Sequence, residues 1–96
     1  MHGEYKVPGG KLVVVDLTTA DGRLAGVQLS GDFFIEPDTA LADINQALEG
    51  LPAHSDAAAL AASVQAALGP EVQLYGITAE GVAVAVLRAL GRTEGV

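Results

Sequence analysis

Cysteine is absent from this 96-residue chain. Its absence removes disulfides, thiolate nucleophiles, iron–sulfur ligation and structural zinc of the cysteine kind. Tryptophan is missing as well, and the aromatic complement is two Phe and two Tyr, so the core has to be built from small aliphatic side chains. The two histidines, His2 and His54, stand far apart with no metal-type spacing around either. Each reads as a solvent-exposed residue rather than a general base, His2 at a mobile end and His54 in a polar loop. Cations are scarce: five Lys and Arg against twelve Asp and Glu leave a net charge of −7. Five cations cannot form the basic stripe that phosphate recognition requires, which argues against nucleic acid and against an anionic membrane surface. The apolar runs fall far short of a membrane span, and His2-Gly3 after Met1 does not form a charged segment with an apolar stretch behind it. The expected location is the cytoplasm.

The residues that are present describe a single domain over 1–96, near the lower end of what folds on its own core. Half of them are hydrophobic, but Ala and Val supply much of that half. A chain of this length buries roughly two-thirds of its unfolded surface, so a partner surface would contribute to its stability. The acidic residues Asp38, Asp43, Glu49, Asp56, Glu71 and Glu80 fall at helix starts and exposed faces, where they serve solubility.

Lys11 to Thr18 reads as a strand, with β-branched Val13, Val14 and Val15 between Leu12 and Leu17. Asp21-Gly22 between two apolar runs signals a type I′ hairpin, because both central residues of that turn need positive φ. The return strand runs from about Arg23 to Ser30, with Ala25, Val27 and Leu29 on one face. Gly31-Asp32 interrupts the pattern as a turn or bulge, and Phe33 to Ile35 forms a short third strand. Pro37 marks the switch to helix. Asp38 is the candidate N-cap, Leu41, Ile44, Leu48 and Leu51 make one apolar stripe, and Gly50 stands at the C-terminal end. Ser55 caps a second helix striped by Leu60, Val64 and Leu68 and stopped by Gly69-Pro70. Glu71 to Ile77 suits an extended segment. Thr78 caps a last helix from Ala79 to about Leu90, apolar nearly all round and therefore placed in the centre of the helical layer. Arg92 to Val96 should fray. Strands first and helices after imply α+β: an antiparallel meander of about three strands followed by three helices packed on one face.

Several residues invite a chemical reading. Gly9-Gly10-Lys11 lacks the longer glycine-rich segment and the Ser or Thr of a phosphate loop, and it precedes a strand, so it reads as a turn. Asp32 orders a turn more naturally than it catalyses, and Glu36, four residues on, is not a convincing acid–base partner for it. Phe33 and Phe34 are the unusual feature. Neighbouring side chains of a strand face opposite ways, so one ring packs inward and the other needs a second surface.

The run Lys6-Val7-Pro8-Gly9-Gly10-Lys11-Leu12, followed by Gly31-Asp32-Phe33-Phe34-Ile35-Glu36-Pro37 with Asp21-Gly22 between them, resembles the accessory (C-terminal) domain of lipoate–protein ligases. Some organisms make that domain as a separate subunit. The resemblance runs from about Tyr5 to Leu90, and its helical half matches mainly in pattern. It implies an α+β fold similar to the sulfur-acceptor and iron–sulfur scaffold proteins, without their cysteine chemistry. It further implies a non-catalytic part of an adenylate-forming ligase, acting in a heterodimer. The catalytic partner would bind lipoate, ATP and magnesium and carry the essential lysine. The accessory chain would order that site for lipoyl-adenylate formation, before transfer to lipoyl-acceptor domains. Met1 and the lack of a catalytic segment point to a stand-alone small subunit, or to a domain excised from a fused enzyme. No catalytic and no metal-binding residue is assigned to this chain. Gly9, Gly10, Lys11, Asp32, Phe33 and Phe34 form the expected partner interface. The residues taken alone leave two other classes open, a small-ligand binding module and a self-associating structural domain.

Overall fold

The computed structural model describes residues 1–92. It is an α+β fold of five strands and three helices in the order β1 (His2–Lys6), β2 (Leu12–Ala20), β3 (Arg23–Gly31), β4 (Phe34–Glu36), α1 (Ala40–Leu48), α2 (Ala57–Ala67), β5 (Gln73–Tyr75) and α3 (Ala79–Ala89). β1, β2 and β3 form an antiparallel meander, and β4 pairs with β5 in a separate two-stranded ribbon. Two expectations change here. His2–Lys6 is a strand, although its alternation of a glycine with charged residues gives little apolar signal. The Phe run does not extend the meander; Gly31 ends β3 at φ +147°, and β4 leaves to pair with β5.

The hairpin turn forms as expected, with Asp21 at φ 54° and Gly22 at φ 74°. In the β2–β3 pairing the register shifts between Asp16, opposite Gln28, and Thr18, opposite Ala25, which leaves an extra residue on β3, where Gly26 takes φ +61°. This bulge inverts the alternation: Leu24, Val27 and Leu29 face the core, and Ala25 does not share their face as the sequence pattern suggests. The helix starts also differ by one residue from expectation. α1 follows Thr39 rather than Asp38, with no side-chain cap bond. Asp56, not Ser55, caps α2 by accepting from Ala59 N at 2.8 Å, because a carboxylate at that position both accepts the bond and complements the helix dipole. Thr78 caps α3 by accepting from Gly81 N at 2.9 Å. Arg92 is held rather than frayed, donating to Ala53 O and Ser55 O; residues 93–96 lie outside the described residues.

α3 lies along β1 and β2, α1 lies against β3, and α2 packs on both helices. That placement explains why α3 is apolar on nearly every side: it is held between sheet and helix, and Val82, Ala83, Ala85, Val86 and Leu87 are fully buried. Burying a Val or Leu side chain contributes about 1.5–3 kcal/mol. The close approach of α3 to β1 requires Gly3. A Cβ there would lie inside the van der Waals shells of Ala85 O and Ala89 N, and 2.9 Å from Ala89 Cα. At the other end of the same contact, Gly81 would meet Val7 Cγ2 at 2.7 Å if it carried a Cβ.

Both edges of the meander are closed by side chains. On β3, Glu49 accepts from Gly26 N (2.9 Å) and Val27 N (3.0 Å), and Asn45 accepts from Leu29 N at 2.9 Å. Leu24 exchanges main-chain bonds with Gly50 and Leu51. One helix face and its following loop thus stand in for a fourth strand. On β1, Arg88 donates to Glu4 O at 3.1 Å and lies over the Tyr5 ring, 4.9 Å from its centroid.

Gly3→Ala is expected to cost about 3 kcal/mol, as overpacking against backbone that cannot retreat, and to lower Tm by roughly 10 °C or more. Gly9→Ala, where nothing lies within 4 Å but φ is +72°, should cost only about 1 kcal/mol. Thermal unfolding of both variants checks the contrast.

Candidate functional site

The segments singled out in the sequence meet at one end of the molecule. Val7-Pro8-Gly9-Gly10 is a tight turn joining β1 to β2, closed by Gly10 N donating to Val7 O at 2.8 Å. Gly9 has φ +72°, so Pro8 and Gly9 occupy the two central positions of a type II turn. The strand after the turn is tied to the ribbon: Lys11 N donates to Gly76 O at 2.9 Å, and Asp32 N donates to Leu12 O at 3.1 Å. A Cβ on Gly10 would lie 2.8 Å from Gly76 O. The bareness of Gly10 therefore lets this chain's own ribbon approach, rather than leaving a gap for another chain. Gly76, at φ +82°, leaves room for the aliphatic stem of Lys11, which a side chain there would displace.

Phe33 and Phe34 divide as their adjacency requires. Phe33 is half-buried and packs against the core, whereas Phe34 is 73% exposed. The residue that sequence reasoning missed is Tyr75. It is the cross-strand partner of Phe34 and is 45% exposed. Directly opposed residues of an antiparallel pair project to the same side, so two aromatic rings stand together on the outer face of the ribbon. Tyr75 Oη donates to Gln73 Oε1 along the same strand face. Behind this pair, Ile35 is buried and Leu74 half-buried, and they fasten the ribbon to the core. The signal for Tyr75 was its alternation with Leu74 in a short extended segment, but only the β4–β5 pairing brings it to Phe34.

Beside the rings lies a cavity of about 190 Å³ lined by Phe33, Phe34, Ile35, Asp38 and Leu41. Asp38, Glu36 and Asp32 are exposed, and among the described residues none of their carboxylates has an ion-pair or hydrogen-bond partner. The Glu36–Pro37 peptide between them is cis. This end of the molecule thus presents an exposed aromatic pair, an adjoining recess and three unpaired carboxylates.

Elsewhere the chemistry is sparse. A groove of about 500 Å³ between α2 and α3 is lined by alanines, Val84, Gln65 and Glu80, which gives a small molecule few polar anchors. Among the described residues no three of His, Asp and Glu are grouped as metal ligands, and no helix is long and apolar enough to cross a membrane. His54 is exposed. His2 is exposed too but is not loose: in β1 it is gripped by Glu4 Oε2 at 2.6 Å and Asp16 Oδ1 at 2.7 Å. Those bonds, to Glu4 first and then Asp16, raise its pKa above the usual 6.5.

No known family model and no curated protein sequence matches the chain. A solved structure of an archaeal lipoylation system from Thermoplasma acidophilum, a bi-partite lipoate protein ligase and its E2 lipoyl domain, contains a chain with the same fold. The TM-score is 0.62 at 20% identity, over 94% of this chain and 97% of that one. Coverage so complete in both directions means that the matched chain is close to this one in size. At this identity the likeness is one of fold.

Two outcomes follow from the geometry. Phe34→Ala should change folding stability by no more than about 0.5 kcal/mol, as at an exposed position, while Phe33→Ala should cost about 2 kcal/mol; equal losses in denaturant unfolding would make both rings structural. His2, observed by NMR titration, should have a pKa above 6.5 that falls toward that value in Glu4→Gln/Asp16→Asn. Because the folded-state pKa is raised, the stability His2 contributes is fully present below pH 6.5. It disappears as pH rises through the folded value.

Proposed function

We propose that this chain is the non-catalytic accessory subunit of a two-chain lipoate–protein ligase, required with a catalytic partner for ATP-dependent activation of lipoate to lipoyl-adenylate. The observation that carries this reading is the exposed Phe34–Tyr75 pair, on a ribbon that the Val7–Leu12 turn holds in place. Aromatic side chains near the middle of a contact are the usual anchors of protein–protein interfaces, and a domain with a core this small gains stability from one. The fold it shares with a chain of similar size in an archaeal lipoylation system fits the same reading, as does the motif order from Lys6 to Pro37.

In this scheme the partner holds lipoate, ATP and magnesium and supplies the catalytic lysine. The accessory chain contributes surface. It docks through Phe34 and Tyr75, with Lys11, Gly9 and Asp32 at the margin, and holds the partner's mobile segments in the arrangement that activates the carboxylate. An interface of this kind buries on the order of 1,200–2,000 Å² in total. The E2 lipoyl domain of the archaeal system suggests a different role, that of acyl acceptor, which would require modification of Lys6 or Lys11.

The experiment is lipoyl-adenylate formation from lipoate, ATP and magnesium by the catalytic chain, with and without this one, while the mass of this chain is followed. Activity dependent on both chains, with no mass gain here, is the expected result. Phe34→Ala should raise the concentration needed for half-maximal activation by about tenfold or more. Equal activity of the catalytic chain alone would overturn the accessory role, and a lipoyl adduct on Lys6 or Lys11 would make this chain an acceptor.

A further inference from the structure

The recess beside Phe34 specifies what the partner presents to it. Its volume of about 190 Å³ equals roughly six water molecules at liquid density, the scale of one long side chain. Four of its five lining residues are apolar or aromatic, namely Phe33, Phe34, Ile35 and Leu41, and the fifth is Asp38. The Asp38 carboxylate has no hydrogen bond or ion pair among the described residues, although its main-chain carbonyl accepts from Leu41 N at 3.1 Å. Glu36 and Asp32 carry two further unpaired carboxylates in the same run.

Charge elsewhere in the chain sharpens the point. Each arginine is committed to main-chain carbonyls: Arg23 to Gly50, Arg88 to Glu4, and Arg92 to Ala53 and Ser55. Lys6 and Lys11 are the cations in the segments that form this end; neither forms an ion pair with Asp38 among the described residues, and the stem of Lys11 lies over Gly76 rather than in the recess. The chain therefore brings no cation of its own to Asp38. An apolar-walled recess with a flat ring at its lip and a free carboxylate at its rim complements an apolar stem ending in a planar cation. Arginine has that shape, because its guanidinium stacks on aromatic faces and pairs with carboxylates in a fixed fork, which an ammonium does not.

We propose that the recess formed by Phe33, Phe34, Ile35, Leu41 and Asp38 receives an arginine side chain from the catalytic partner, its guanidinium against the Phe34 ring and paired with Asp38. This rests on the accessory-subunit reading and names the chemistry of the contact. The net charge of −7 adds long-range attraction for such a basic patch, so association should slow as salt rises.

The test measures the dissociation constant between this chain and the catalytic chain at 50 and 300 mM salt, for wild type, Phe34→Ala, Asp38→Asn and Asp38→Arg. Unchanged Tm is required of each variant as the check on folding. Asp38→Asn is expected to weaken binding by about fivefold and Asp38→Arg by about fiftyfold or more, since like charges placed opposite each other repel. Both should also flatten the salt dependence. A partner Arg→Glu substitution that restores binding to Asp38→Arg would identify the arginine. If Phe34→Ala weakens binding while both Asp38 variants bind like wild type, the arginine is wrong and the accessory reading stands. If wild type does not bind the catalytic chain at all, both fall together.

Discussion

The fold turns on how closely α3 can lie against β1. Position 3 must be glycine for that contact, since any Cβ would meet backbone atoms of Ala85 and Ala89, and backbone cannot rotate away as a side chain can. Once α3 is seated, much else follows. Its buried valines and Leu87 fill the space over β1 and β2, and Arg88 reaches the free edge of β1. The N-terminal end of α3 comes beside Val7 and the turn that precedes β2. A composition rich in Ala, Gly and Val, poor in aromatics, is what such short inter-element distances demand.

That same economy explains why the aromatic residues carry meaning. Phe33 takes the inward position, and Phe34, its neighbour along the extended chain, faces outward with Tyr75 across the ribbon. The ribbon stays in place because Ile35 and Leu74 hold its inner side, and because Lys11 and Asp32 bond it to the meander. The outer surface is therefore aromatic and flanked by the unpaired carboxylates of Asp32, Glu36 and Asp38.

The α+β class, the Asp21-Gly22 hairpin, all three helices and the division of the two Phe rings were legible in the sequence, because each has a local cause: turn chemistry, a 3.6-residue stripe, or period-two alternation. What was not legible depends on partners distant along the chain. β1 carries a glycine where a strand usually carries an apolar residue, and the reason lies more than eighty residues away in α3. The bulge at Gly26 turns Ala25 off the core face, and its two free N–H groups are satisfied by Glu49, a residue that reads as an ordinary surface acid. Tyr75 joins the candidate site only through its pairing with Phe34. At α2 the cap shifted by one residue for a simpler reason: neighbouring Ser55 and Asp56 are both good N-cap residues, and Asp56 takes the role.

We propose that a ligase partner docks at the end of the molecule bearing Phe34 and Tyr75. Hydrogen–deuterium exchange of this chain, free and mixed with the catalytic chain, checks this. New protection is expected in residues 31–38 and 73–76, with the outer surfaces of α2 unchanged. Protection confined to α2 and its groove with α3, and none in the ribbon, would contradict it.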